Sequence, residues 1–129
     1  MHDARIQPLR LGRAQLLVVD IQEKLFPLIH EHERVAKRSL LMIQAARALE
    51  LPVTISEQYV KGLGPTIAPL RDAISGLPRF EKTAFSFCGE GPCRAHVESA
   101  GRPQVFLIGI ELVDIAGLSY AEAAETLGV

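Results

Sequence analysis

The chain has 129 residues, 48% apolar and 22% charged, the balance of one globular domain with a core of its own. Its net charge of −1 supplies no electrostatic footprint for a phosphate backbone, so nucleic acid is not an expected partner. No apolar run approaches membrane-spanning length, and the opening MHDARIQPLRLGRAQ is charged throughout, without the apolar stretch of a secretory signal. The expectation is a cytoplasmic protein with no membrane partner.

Leu16 to Val19 is a continuous apolar run ending in Asp20, the pattern of a strand buried on both faces. From about His32 to Leu49, Val35, Leu40, Ile43, Ala46 and Leu49 recur among Lys and Arg at helical spacing, and Pro52 ends that helix. Val53 to Ser56 predicts a second strand, and the glycines and proline of Tyr59 to Thr66 predict a loop. A helix of about two turns is expected near Ile67 to Ile74, then a weaker strand from Arg79 that ends around Lys82. After a Gly/Pro/Cys loop come a short helix near Arg94 to Ala100, closed by Gly101, and the strongest strand signal, Gln104 to Ile110. Ser119 and Glu122 fit a capping box opening a last helix.

Strands alternating with helices predict an α/β fold, a doubly wound parallel sheet of about four strands covered on both faces in three α/β/α layers. Ligands of such sheets bind beyond the carboxyl ends of the strands. That rule selects Asp20, the Ser56-Glu57-Gln58 segment, Lys82-Thr83 and Glu111. A dinucleotide-binding variant would need GxGxxG after the first strand, where this chain has DIQEKLF. The KGLGPT glycines follow the second strand and lack phosphate-loop spacing. They are turn glycines.

Asp20 and Lys82, each at a strand end, could form a general base and an electrostatic partner for a developing anion, or equally a structural ion pair. Cys88 and Cys93 read as a disulfide, as half of a metal site or as two reduced loop thiols; no second Cys/His pair completes a zinc pattern. Neither a metal nor a cofactor is expected. Phe26 and Phe85 fit apolar pocket walls and core packing equally well.

Four stretches carry a family resemblance: LLVVDIQ (Leu16 to Gln22), ISEQYVKGLGPT (Ile55 to Thr66), EKTAFS (Glu81 to Ser86) and VFLIGIE (Val105 to Glu111). In this order and spacing the chain resembles the isochorismatase-like cysteine hydrolases, in particular the subgroup with an EQY-x-KGLGPT loop. The two inner segments carry the specificity, since apolar strands are common. Val60 stands where relatives often have proline. The resemblance implies an Asp-Lys-Cys triad acting on a small-molecule amide or enol-ether-like bond, with Asp20 taking the thiol proton and Lys82 holding charged intermediates. A thiol with pKa about 8.5 needs such help at neutral pH. The resemblance further places Glu57 and Gln58 around the pocket, and a cis peptide and oxyanion turn at Ile110–Glu111.

One position departs from the pattern. The family nucleophile follows in GIE-x-x-x-C, and here the turn reads GIE-Leu112-Val113-Asp114-Ile115, so Ile115 stands at the cysteine position. The family usually continues with a long helix and two further strand–helix units, which this chain, ending at Val129, is expected to lack. Cys88 is a loop thiol or a substitute nucleophile; Asp114 and Glu111 are acids near the site. Three functions follow as alternatives: a hydrolase of this family, a non-catalytic member that binds ligand or serves as a subunit, and a truncated product. An exposed fourth strand makes a homo-oligomer the expected assembly.

Overall fold

In the computed structural model, residues 7–83 and 91–109 are described. Strands β1 (Ala14–Val19), β2 (Val53–Gln58), β3 (Arg79–Lys82) and β4 (Gln104–Gly109) form one sheet in the order β3-β2-β1-β4, and all three neighbouring pairs are parallel. The helices are α1 (His32–Ala48), α2 (Val60–Leu63), α3 (Ala68–Arg71) and α4 (Gly91–Ser99). The predicted α/β parallel architecture is the one observed.

Side chains alternate between the faces of a strand, and β1 uses both. Leu16 and Val18 point to one face, where they join Ile43 and Ala46 of α1, Ile55 of β2 and Leu70 of α3 in the main apolar core. Leu17 points to the other face and meets Cys93 of α4, flanked by Val19, Phe80 and Val97. A smaller polar link fastens the same helix. The Gln15 side-chain amide donates to the Arg102 carbonyl at 2.8 Å, tying the start of β1 to the segment after α4. Helices therefore cover both faces, giving three layers.

Most element boundaries follow from local chemistry. Helix α1 buries Ala36, Ser39, Ile43 and Ala46, a three- and four-residue spacing, and stops before Pro52. The segment expected to be all loop contains the single turn α2, because the Tyr59 carbonyl accepts from the amides of Gly62 and Leu63. Gly62 makes room for it: a Cβ there would fall 2.4 Å from the Tyr59 ring. Helix α3 is only four residues long, and the rest of the expected helix continues as turns that still bury Ile74. Helix α4 starts at Gly91, ahead of the expected Arg94, with Pro92 in its first turn, where a missing N–H costs nothing. The expected helix after Ser119 lies outside the described residues.

The chain steps outward from β1 to β2 to β3, then returns past β1 to lay β4 on its far side. The order thus reverses between β1 and β4, the place where doubly wound sheets open a crevice at their carboxyl ends. Gly109, the last residue of β4, lies opposite Val19, and a Cβ on it would come 2.4 Å from the Val19 carbonyl oxygen. Along β4, Phe106 and Ile108 pack into the main core, while Val105 and Leu107 on the other face are 47% and 67% exposed. Among the described residues no helix is long and apolar enough to cross a membrane.

Candidate active site

Asp20 follows the last residue of β1, where the chain bends with φ 55°. Its amide donates to the Ser56 carbonyl at 3.2 Å, so the bend is still fastened to β2. Lys82 closes β3 and is 1% exposed. Strand β2 separates the two backbones, and the side chains meet across it: Lys82 Nζ donates to Asp20 Oδ2 at 2.8 Å. The register places Ser56, Gln58 and Lys82 on the same face of the sheet, beneath the layer that holds α4. Ser56 Oγ donates to Asp20 Oδ1 at 2.9 Å, and Gln58 Oε1 accepts from Lys82 Nζ at 2.9 Å. Both carboxylate oxygens and the ammonium are thus engaged by buried groups.

Electrostatics give the pair its character. Burial pushes the Asp20 carboxyl above the ordinary carboxylate range; the Lys82 ammonium and the Ser56 hydroxyl pull it back, and the Glu57 charge pushes it up again. Desolvation wins. A carboxylate with raised proton affinity beside a fixed cation can accept a proton from a neighbouring group and hold the anion left behind.

Glu57 and Gln58, expected to follow β2, are its last two residues and part company there. Gln58 joins Lys82. Glu57 points to the opposite face, where Oε2 accepts from the Thr66 amide at 2.7 Å and the Thr66 hydroxyl at 3.0 Å, with Arg79 at 3.9 Å. Its visible work is to hold the KGLGPT loop. Phe26 packs against the main core and lies edge-on to the His32 ring, with centroids 5.1 Å apart. Phe85, Cys88, Ile110, Glu111, Asp114 and Ile115 fall outside the described residues. Cys93 is fully buried against Leu17. Among the described residues, no group of three or more His, Cys, Asp or Glu side chains could hold a metal ion.

Sequence reasoning selected Ser56 only by its place at a strand end, and it did not single out Gln22. The structure adds both. Gln22 is fully buried two residues after Asp20, but in the sequence it opens the polar run Gln22-Glu23-Lys24, whose other two members are exposed, so no local pattern marks it. It meets the backbone of Gln58 and the KGLGPT loop, and Gln58 in turn meets Lys82, so the LLVVDIQ, ISEQYVKGLGPT and EKTAFS segments share one hydrogen-bonded cluster.

Comparison with known proteins decides the lineage: the Isochorismatase domain model matches residues 14–113. The chain belongs to the isochorismatase family. Isochorismatase domain-containing protein 2 of Danio rerio is 41% identical over 97 residues, which are 74% of this chain and 48% of that protein. The Homo sapiens protein of the same name is 37% identical over 103 residues, 78% of this chain and 47% of its own length. The chain therefore spans about half the length of the curated relatives it matches. Among solved structures, the MAR1 ribonuclease of Caenorhabditis elegans superposes with a TM-score of 0.74 at 34% identity, covering 81% of this chain and 54% of that one. The YcaC protein of Escherichia coli, described as an octameric hydrolase of unknown specificity, also gives 0.74, at 20% identity, covering 81% of this chain and 55% of its own, which is a likeness of fold. Asp20, Gln22, Ser56, Gln58 and Lys82 all lie inside the stretch matched by the isochorismatase model.

Proposed function

We propose that this isochorismatase-family chain carries the acid–base and electrostatic part of a hydrolase site for a small-molecule amide or enol-ether-type substrate. The observation that carries this reading is the buried 2.8 Å contact between Lys82 Nζ and Asp20 Oδ2 at the strand ends. In this reading Asp20 accepts the proton of the attacking group, and Lys82 steadies the resulting anion. Gln58 forms part of the pocket floor. The chain is read as one domain acting in the cytoplasm, assembled as a homo-oligomer through the exposed strand β4. Turnover of a panel of small amides and enol ethers by the purified protein tests the proposal. Expected is a rate that Asp20→Asn and Lys82→Met both abolish; a rate indifferent to both would refute it.

Ile115 at the cysteine position favours a second reading, a member that binds without turning over. Loss of a triad nucleophile costs about a millionfold in rate. Binding of panel compounds, abolished by Lys82→Met and unaccompanied by product, would select this reading. One structural neighbour is named a ribonuclease, so RNA belongs in the panel. The net charge of −1 argues for the small molecule.

A further inference from the structure

We infer that Gln22 is a positioning residue for Lys82, acting through Gln58; the inference rests on the reading of the Asp20–Lys82 pair as the working part of the site. The side-chain hydrogen bonds of Gln22 run to backbone groups of Gln58 and Gly64 and not to Asp20 or Lys82. It grips the backbone of the residue that meets Lys82. Its Oε1 accepts from the Gln58 amide at 2.6 Å, and its Nε2 donates to the Gln58 carbonyl at 2.8 Å. This reciprocal pair is what a neighbouring strand would supply, delivered by one side chain. The second Nε2 hydrogen donates to the Gly64 carbonyl at 2.7 Å, which anchors the arrangement to the KGLGPT loop.

With its backbone held on both sides, the Gln58 side chain projects from a fixed base and is oriented by its own two contacts. Its Nε2 donates to the Thr83 carbonyl at 2.7 Å, just past Lys82, and its Oε1 is thereby turned toward the Lys82 ammonium at 2.9 Å. The amide orientation is fixed by this pairing, because reversing it would set an NH2 group against the ammonium. A lysine carries a flexible four-carbon stem, and a buried ammonium is held only as well as its acceptors are held. Asp20, which accepts from the Lys82 ammonium, sits on the bend that begins the DIQ triplet, and Gln58, which also accepts from it, is gripped by the residue that ends the triplet. Further bonds fasten the same turn to the loop: the Glu23 amide donates to the Pro65 carbonyl at 3.1 Å, and the Ile67 amide to Ile21 at 3.0 Å. The DIQ turn, the end of β2 and the KGLGPT loop thus act as one clamp on the lysine.

The test reads the lysine itself, so it needs no turnover. In protein labelled with 15N at lysine, the Lys82 ammonium should give a resolved, slowly exchanging resonance. Gln22→Met, which keeps the length of the side chain and removes its hydrogen bonds, should accelerate that exchange about tenfold, the factor that accompanies loss of the net strength of the Gln58–Lys82 bond. Ile43→Ala, a core change in α1, should lower stability and leave the resonance in place. If Gln22→Met leaves the exchange unchanged, or Ile43→Ala disturbs it equally, the inference is wrong. Should Gln22→Met not fold, the wild-type protein still decides: a scalar coupling across the hydrogen bond from the Gln58 amide nitrogen to Gln22 Cδ is expected, and its absence overturns the inference. Failure of the substrate panel with an intact Lys82 response would strike the proposed function alone.

Discussion

The two faces of the sheet are built on different principles. On the α1 face, Leu16, Val18, Ile43, Ile55 and Leu70 form a dry apolar core of the kind that sets stability. On the α4 face the apolar cluster is small, Leu17 and Cys93 with three half-covered neighbours, and the carboxyl ends of the strands carry Ser56, Gln58 and Lys82 instead. The chain sets its buried Asp20–Lys82 pair on the α4 face and most of its apolar packing on the other, where Glu57 and Thr66 are a separate buried polar contact.

Lys82→Met should have the largest effect. It leaves Asp20 buried without its cation and is expected to cost about 3–5 kcal/mol at neutral pH, read by urea unfolding. A loss under about 1 kcal/mol would mean that the pair is far more hydrated than its burial implies. Ile43→Ala is expected to cost about 2–5 kcal/mol through the cavity it opens in the α1 face. The comparison breaks if this change also removes ligand binding at Asp20 and Lys82. Gly109→Ala, which drives a methyl into the Val19 carbonyl, should cost about 1–3 kcal/mol by overpacking β4 against β1.

The pH dependence of Asp20 sharpens the contrast by direction. Because its native proton affinity lies above the unfolded value of 3.8, the folded state binds the proton more readily. Its contribution is therefore fully present below pH 3.8 and is lost as pH rises through the elevated native value. The stability of the wild type minus that of Asp20→Asn should accordingly fall as pH increases across that window. A difference that rises instead would make the Lys82 attraction, not burial, the dominant influence. The smallest effect is expected from Leu107→Glu on the exposed side of β4: within about 0.5 kcal/mol in stability, with any self-association weakened in sedimentation.

The fold was legible because Leu16 to Val19 of β1 and Val105 to Ile108 of β4 are uninterrupted apolar runs and α1 carries a clear stripe. Asp20 and Lys82 were legible as strand-end residues, since a parallel sheet brings its carboxyl ends together. The opposite directions of Glu57 and Gln58 were not, because they depend on where β2 ends, and a strand two residues longer turns a loop pair into a face assignment. Gln22 escaped for a related reason. Its role comes from backbone groups 36 and 42 positions away, which no local pattern encodes.

The bend at Asp20 has a consequence for heredity as well as for chemistry. A left-handed backbone is tolerated by aspartate and asparagine and costs most other residues about 1–2 kcal/mol. Selection on the shape of the turn alone would therefore keep Asp20 in a lineage that had stopped doing catalysis. Asparagine would satisfy that shape and could not accept a proton. Among proteins that share this bend, an aspartate-to-asparagine exchange is the change that would mark a site released from catalytic work.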